Sequence, residues 1–177
     1  MLAQGDKSPS FAVSDQNGLT HNSKSLKGKR YLVYFYPKDS TPGCTVQACG
    51  LQSDLEQFNA LGIPVFGVSA DSVASHKKFA DKYGLNFPLL ADTDKKMIEA
   101  FGVWIEKSLY GKKYMGISRS SFLIGCNAKV EKVWEKVNTK THAQDVLAFI
   151  AGENPAAIPT TKKTTAKKTL AKKAAKQ

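Results

Sequence analysis

Apolar positions along the chain alternate between two periods. Tyr31–Tyr36 is an unbroken aromatic and aliphatic run closed by Pro37, which predicts a buried strand. Between Thr45 and Leu61, Leu51, Leu55 and Phe58 recur at helical spacing. Ile63–Ser69 reads as a second apolar strand between Gly62 and Asp71. Ser72 is placed to cap a helix running to about Tyr83, with Val73, His76, Phe79 and Tyr83 on its inner side. A short strand at Leu89–Ala91 and a short helix around Lys95–Phe101 follow. Arg119–Ile124 and Lys129–Val137 read as strands joined by the turn Gly125–Ala128. Thr141 with Gln144 offers a capping box for a closing helix that turns Val146, Leu147 and Ile150 inward. Strand, helix, strand, helix, then a hairpin and a helix, predict an α/β fold with a mixed sheet covered by helices.

The 177 residues, 42% hydrophobic and 23% charged, suit one globular domain with an appendage, and exclude a wholly disordered, collagen-like or coiled-coil chain. No apolar run approaches the roughly 20 residues needed to span a bilayer. The start, MLAQGDKSPS, has no stretch of signal-peptide length, so a cytoplasmic location is expected. No exposed apolar stripe is evident, and no metal, flavin or haem motif is visible.

The net charge of +11 changes meaning once it is divided along the chain. Glu153 is the last acid; Lys162, Lys163, Lys167, Lys168, Lys172, Lys173 and Lys176 follow it unopposed. Upstream, 19 basic residues face 15 acidic ones, a net of only +4. Residues 1–152 therefore read as the domain, 153–160 as a linker, and 161–177 as a basic Lys/Ala/Thr tail, disordered in isolation. Such a tail is a solubilising extension or a source of weak, nonspecific nucleic-acid contact; it carries no aromatics on which bases could stack.

Three cysteines in a cytosolic-looking chain call for a chemical explanation. Small buried hydrophobes are one reading. A structural metal is disfavoured, because three Cys and the scattered His21, His76 and His142 contain no close ligand pair. Cys44 stands apart. A strand ends at Tyr36, a loop follows through Gly43, and a helix begins near Cys44, so the thiol falls in a helical first turn, where unpaired N–H groups favour a thiolate. Thr41 offers a hydroxyl to the sulfur or to a bound oxygen, while Pro37, Pro42 and Gly43 stiffen and clear the loop.

The spacing Pro37-x-x-x-Thr41-x-x-Cys44 resembles the active-site signature of peroxiredoxins, thioredoxin-fold thiol peroxidases. YFYPKDSTPGCTVQACG is similar to the bacterioferritin comigratory protein, or peroxiredoxin Q, subgroup, and the likeness runs from GDKSPSF through SRSSFLI, covering about residues 5–150. That resemblance implies a thioredoxin-like three-layer fold and a monomer that needs only thiols. It implies that hydrogen peroxide and organic hydroperoxides are reduced, with thioredoxin or a similar dithiol as reductant. It makes Cys44 the peroxidatic residue, Thr41 and Pro37 its pocket, Arg119 the arginine of the site, and Cys49 the resolving thiol of a Cys44–Cys49 redox disulfide. Five positions on a regular helix differ by about 140° and ~7.5 Å of rise, too far for two sulfurs to join, so the first turns after Pro42 are expected to unwind. Gly125-Cys126 stands where relatives commonly carry an acid; Cys126 is inert, a site of mixed disulfides, or an intermolecular link. Two other classes compete with the peroxidase. A general disulfide oxidoreductase is weakened by the missing CxxC, and a DNA-associated redox sensor would draw on the tail.

Overall fold

The computed structural model describes residues 1–153; of the expected linker and tail, all but Glu153 lie outside them. A small hairpin of β1 (Ala12–Ser14) and β2 (Thr20–Asn22) leads into β3 (Tyr31–Phe35). Then come α1 (Pro42–Ser53), α2 (Leu55–Ala60), β4 (Val65–Ser69), α3 (Val73–Tyr83), β5 (Leu89–Ala91) and α4 (Lys96–Ala100). An antiparallel arm of β6 (Trp104–Leu109) and β7 (Lys112–Ile117) precedes β8 (Ser121–Ile124), β9 (Val130–Trp134) and α5 (His142–Glu153).

The main sheet has the order β5-β4-β3-β8-β9. β3 pairs parallel with β4 on one side and antiparallel with β8 on the other, so the sheet is mixed as expected and β3 is its topological switch point. Its residues alternate between two dry faces. Leu32 and Tyr34 join Leu51, Phe58, Phe79 and Val146 from the helices; Tyr31, Val33 and Phe35 join Ile98, Phe101 and Phe122 on the opposite side. A strand buried on both faces has no polar alternation, and that is why β3 stands out as an apolar run. Layers of this kind, helix against mixed sheet against helix and hairpin, make the thioredoxin fold.

Four expectations change. The single helix over 45–61 is two helices, broken at Asp54 (φ −102°, ψ 9°), where the Asp54 side chain accepts from Gln57 Nε2 at 3.3 Å. Val73, expected inward, is 36% exposed on the first turn of α3, while the cap itself forms, Ser72 accepting from the Ser75 N–H at 3.1 Å. At α5 the Thr141 hydroxyl donates to Asp145 at 2.9 Å, one turn on, in place of a Gln144 box. The β6–β7 arm has no counterpart among the elements expected from the sequence, and it exposes the large apolar side chains of Leu109, Tyr110, Tyr114 and Met115.

Candidate active site

The chain leaves the carboxyl end of β3 at Tyr36, bends through Pro37–Thr41 and enters α1 at Pro42. Open α/β sheets gather ligands at such strand ends, beside the switch point. Pro42 occupies the first helical position, where a missing N–H costs nothing. Cys44 is the third residue of α1 and is 1% exposed, its sulfur packed with the helical core. The first-turn amides of Gly43 and Cys44 have no intrahelical acceptor and present partial positive charge.

The cation comes from the other neighbour of β3. Because β8 runs antiparallel to β3, its amino end lies beside the carboxyl end of β3: Tyr34 faces Ser121, and the Phe35 N–H donates to Ser120 O at 2.8 Å. Arg119 therefore projects into the same crevice from 75 positions away, and its Nη2 donates to Cys44 Sγ at 3.3 Å. Gly43 makes room. A Cβ there would sit 3.2 Å from Arg119 Nη2.

Other residues complete the arrangement. Arg119 Nη1 donates to Gln47 Oε1 at 2.8 Å, and Gln47 Nε2 lies 3.3 Å from His142 Nδ1. Burial, reinforced by the charge of Arg119 and opposed by Asp145, lowers His142 to about 4, so its ring is neutral at pH 7. Burial first, and then the charge at Cys44, pushes the Tyr34 phenol well above its usual range. Lys107 on β6 is lowered by burial and by Arg119, which places a second cation in the field of the first.

The loop itself is pinned by Asp39. Its carboxylate accepts from Tyr36 Oη at 2.6 Å and Ser75 Oγ at 2.8 Å and lies 2.7 Å from His76 Nδ1; its N–H donates to Asp71 at 2.9 Å. Asp39, Asp71 and His76 place three ligand-type atoms within 4.8 Å, but each of these residues already has hydrogen-bond partners in the protein, including His76 Nε2 with Leu90 O at 2.9 Å.

Of the residues singled out from sequence, Cys44 and Arg119 are brought into contact. Thr41 adjoins them, but its hydroxyl donates to Lys38 O at 2.9 Å and not to the sulfur. Pro37 is exposed where the chain leaves the strand, fixing φ at the bend. Cys49 is half-buried on the intact α1, and Cys126 is exposed in the β8–β9 turn; all three thiols are free. Gln47 is not among the residues expected from the sequence, although a glutamine among Cys44, Ala48 and Leu51 on an inward face is a legible signal. From the sequence, His142 stands out only as a potential metal ligand.

A family model described as the AhpC/TSA family matches residues 4–133. Peroxiredoxin Bcp of Escherichia coli strain K12 is 46% identical over 149 residues, covering 84% of this chain and 96% of the relative. A cysteine-to-serine variant of PrxQ from Xylella fastidiosa superposes with a TM-score of 0.82 at 32% identity, over 86% of this chain and 98% of that one. The bacterioferritin comigratory protein of Xanthomonas campestris, solved in trapped intermediate and ligand complexes bearing on its alkyl peroxide reduction, superposes with a TM-score of 0.77 at 39% identity, over 81% and 91%.

Proposed function

The chain belongs to the AhpC/TSA family, in its Bcp/peroxiredoxin Q branch; it is a peroxide-reducing thiol oxidoreductase, and we propose that Cys44 is its nucleophile and Cys49 its resolving thiol. The observation that carries this reading is the guanidinium of Arg119 held 3.3 Å from a buried sulfur in the first turn of a helix. The Cys44 thiolate attacks one oxygen of a hydroperoxide; an S–O bond forms and the O–O bond breaks. The leaving hydroxide or alkoxide takes up a proton and departs as water or alcohol. Arg119 and the first-turn amides face the negative charge that moves from sulfur to the departing oxygen. Cys44 is left as a sulfenic acid.

In the second step the Cys49 thiol attacks that sulfur. An S–S bond forms, the S–O bond breaks, and water leaves. Both residues lie within α1, so its first turns unwind before the sulfurs meet. A thioredoxin or similar dithiol then restores the thiols by exchange. Hydrogen peroxide and organic hydroperoxides are both substrates; the site needs no cofactor beyond thiols, and the protein works as a cytoplasmic monomer. Among the described residues no helix is long and apolar enough to cross a membrane. The large side chains exposed on the β6–β7 arm make sedimentation at several concentrations the check on the monomer.

The direct test adds one equivalent of hydrogen peroxide to fully reduced protein, counts thiols and maps disulfides by mass. Loss of two of the three thiols with a Cys44–Cys49 link is expected, Cys126 remaining free. Persistence of all three would end the peroxidase reading, and a link to Cys126 would replace the resolving residue.

A further inference from the structure

Gln47 stands one helical turn after Cys44, inside the segment that must unwind, and both ends of its amide are engaged. Its Oε1 accepts from Arg119 and its Nε2 faces His142 Nδ1. A guanidinium carries donors only, which fixes the orientation of the amide. An NH2 group also only donates, so His142 Nδ1 is the bare acceptor and the ring proton sits on Nε2. Gln47 is 1% exposed and His142 2%. The ring is enclosed by Tyr34 from β3, with ring centroids 6.2 Å apart, and by Trp134 from β9 at 6.4 Å. The groups that act on it are Gln47 of α1, Arg119 before β8 and Asp145 one turn along α5; among the charges that shift it, Asp145 is the single acid.

We propose that Gln47 and His142 are positioning residues that form a latch on α1, holding the Cys44–Cys49 segment helical and Arg119 seated on the sulfur until His142 takes up a proton. This rests on the two-cysteine reading above. Unwinding the segment carries Gln47 away, which breaks its bonds to His142 and Arg119 together and leaves the arginine without its anchor. Protonation places a hydrogen on Nδ1, directly against the Gln47 amino group, so two donors meet. The direction follows from linkage. His142 binds its proton weakly in the wound state, with a pKa of about 4 against 6.5 ordinarily. The wound state thus has its full advantage above pH 6.5 and loses it as pH falls toward 4. If the released ring recovers its ordinary affinity, the unwound state gains about twentyfold between pH 7 and pH 5.

The test mixes reduced full-length wild type, His142→Phe and Gln47→Glu with hydrogen peroxide from about pH 5 to 8, and follows tryptophan fluorescence. The phase independent of peroxide concentration reports disulfide closure. His142→Phe has no latch to titrate, so it should close about fivefold faster than wild type at pH 8, the worth of one buried hydrogen bond. The fivefold lead of His142→Phe should shrink as pH falls and reverse below about pH 6, and the ratio of the two rates removes the ionisation of Cys49, which both proteins share. Gln47→Glu accepts from Arg119 and from a protonated His142, so it should close more slowly than wild type at pH 5. Its His142 ring, followed by NMR in the reduced protein, should titrate above 6.5 where the wild-type ring titrates near 4. Packing alone would not produce that inversion, and Gln47→Glu decides the matter even if His142→Phe fails to fold. Parallel profiles for wild type and His142→Phe, or a His142 titration unmoved by Gln47→Glu, would overturn the latch. Mass mapping on the same samples separates the two readings: a Cys44–Cys49 link with parallel profiles defeats the latch alone, and no link defeats the two-cysteine cycle and the latch with it.

Discussion

Arg119 divides its terminal nitrogens between two partners, Nη2 on the Cys44 sulfur and Nη1 on the Gln47 carbonyl oxygen. A lysine ammonium is a point charge without that fork, so Arg119→Lys should keep the sign of the field and lose the geometry. Peroxide consumption by Arg119→Lys should fall about hundredfold in kcat/KM with the circular dichroism spectrum unchanged. A loss below about threefold would mean that charge alone suffices. Gly43→Ala crowds the same guanidinium, whose Nη2 would lie 3.2 Å from the new Cβ. Because an arginine can yield a few tenths of an ångström, a smaller, several-fold loss is expected in the same assay. At this scale the sequence was informative where one residue type serves one chemistry: a thiol in a first turn, and an arginine in a signature. It was silent where a role depends on a distant partner. Nothing near Gln47 announces Arg119, 72 positions downstream, and nothing in the motif says that the Thr41 hydroxyl turns to Lys38.

The loop Pro37–Thr41 is held as an element by α3. Both ring nitrogens of His76 are engaged, Nδ1 with the Asp39 carboxylate and Nε2 with the Leu90 carbonyl. Burial pushes the Asp39 carboxyl up, but the hydrogen bonds and charge of His76, with Tyr36 and Ser75 also donating, hold it below its usual value. The stability this adds is present above the ordinary carboxylate range and is lost as pH falls through the lowered folded value. His76 is fully buried, and its carboxylate partner nearly so. Asp39→Ala should therefore cost about 3 kcal/mol in urea unfolding, since it leaves Tyr36, Ser75 and the buried His76 ring without their shared hydrogen-bond partner. A cost under about 1 kcal/mol would show that the clamp contributes little to folding. Elements with a dry face were readable from their period, β3 and α3 above all. The β6–β7 arm was not, because Glu106, Lys107, Lys112 and Lys113 leave it no continuous apolar face. Its turn hides as well. Tyr110 at φ 50° does the work usually given to Asn or Gly, beside Gly111 at φ 76°.

For the whole molecule, element order was enough to predict a mixed sheet covered by helices, because parallel β3–β4 and β4–β5 pairs require the crossovers the sequence displays. What it could not supply was the pairing of β3 with β8, a contact between segments some ninety positions apart. The charge balance adds one more test. Seven lysines after Glu153 give the chain most of its +11, and they can displace counterions from nucleic acid without reading sequence. Any retention of the full-length protein on duplex DNA at low salt should vanish at about 0.15 M salt and after truncation to residues 1–157, with peroxide turnover equal in the two proteins. Retention that survives truncation would remove the tail from the account. The β3–β8 pairing also bears on how the protein is made. Cys44 is synthesised 75 residues before Arg119, and β8 ends only at Ile124. A nascent chain, or one truncated ahead of that strand, carries the sulfur without its guanidinium, so the thiol acquires its partner only when the last inner strand is laid against β3. Laying β8 against β3 and bringing the guanidinium to the sulfur are one event.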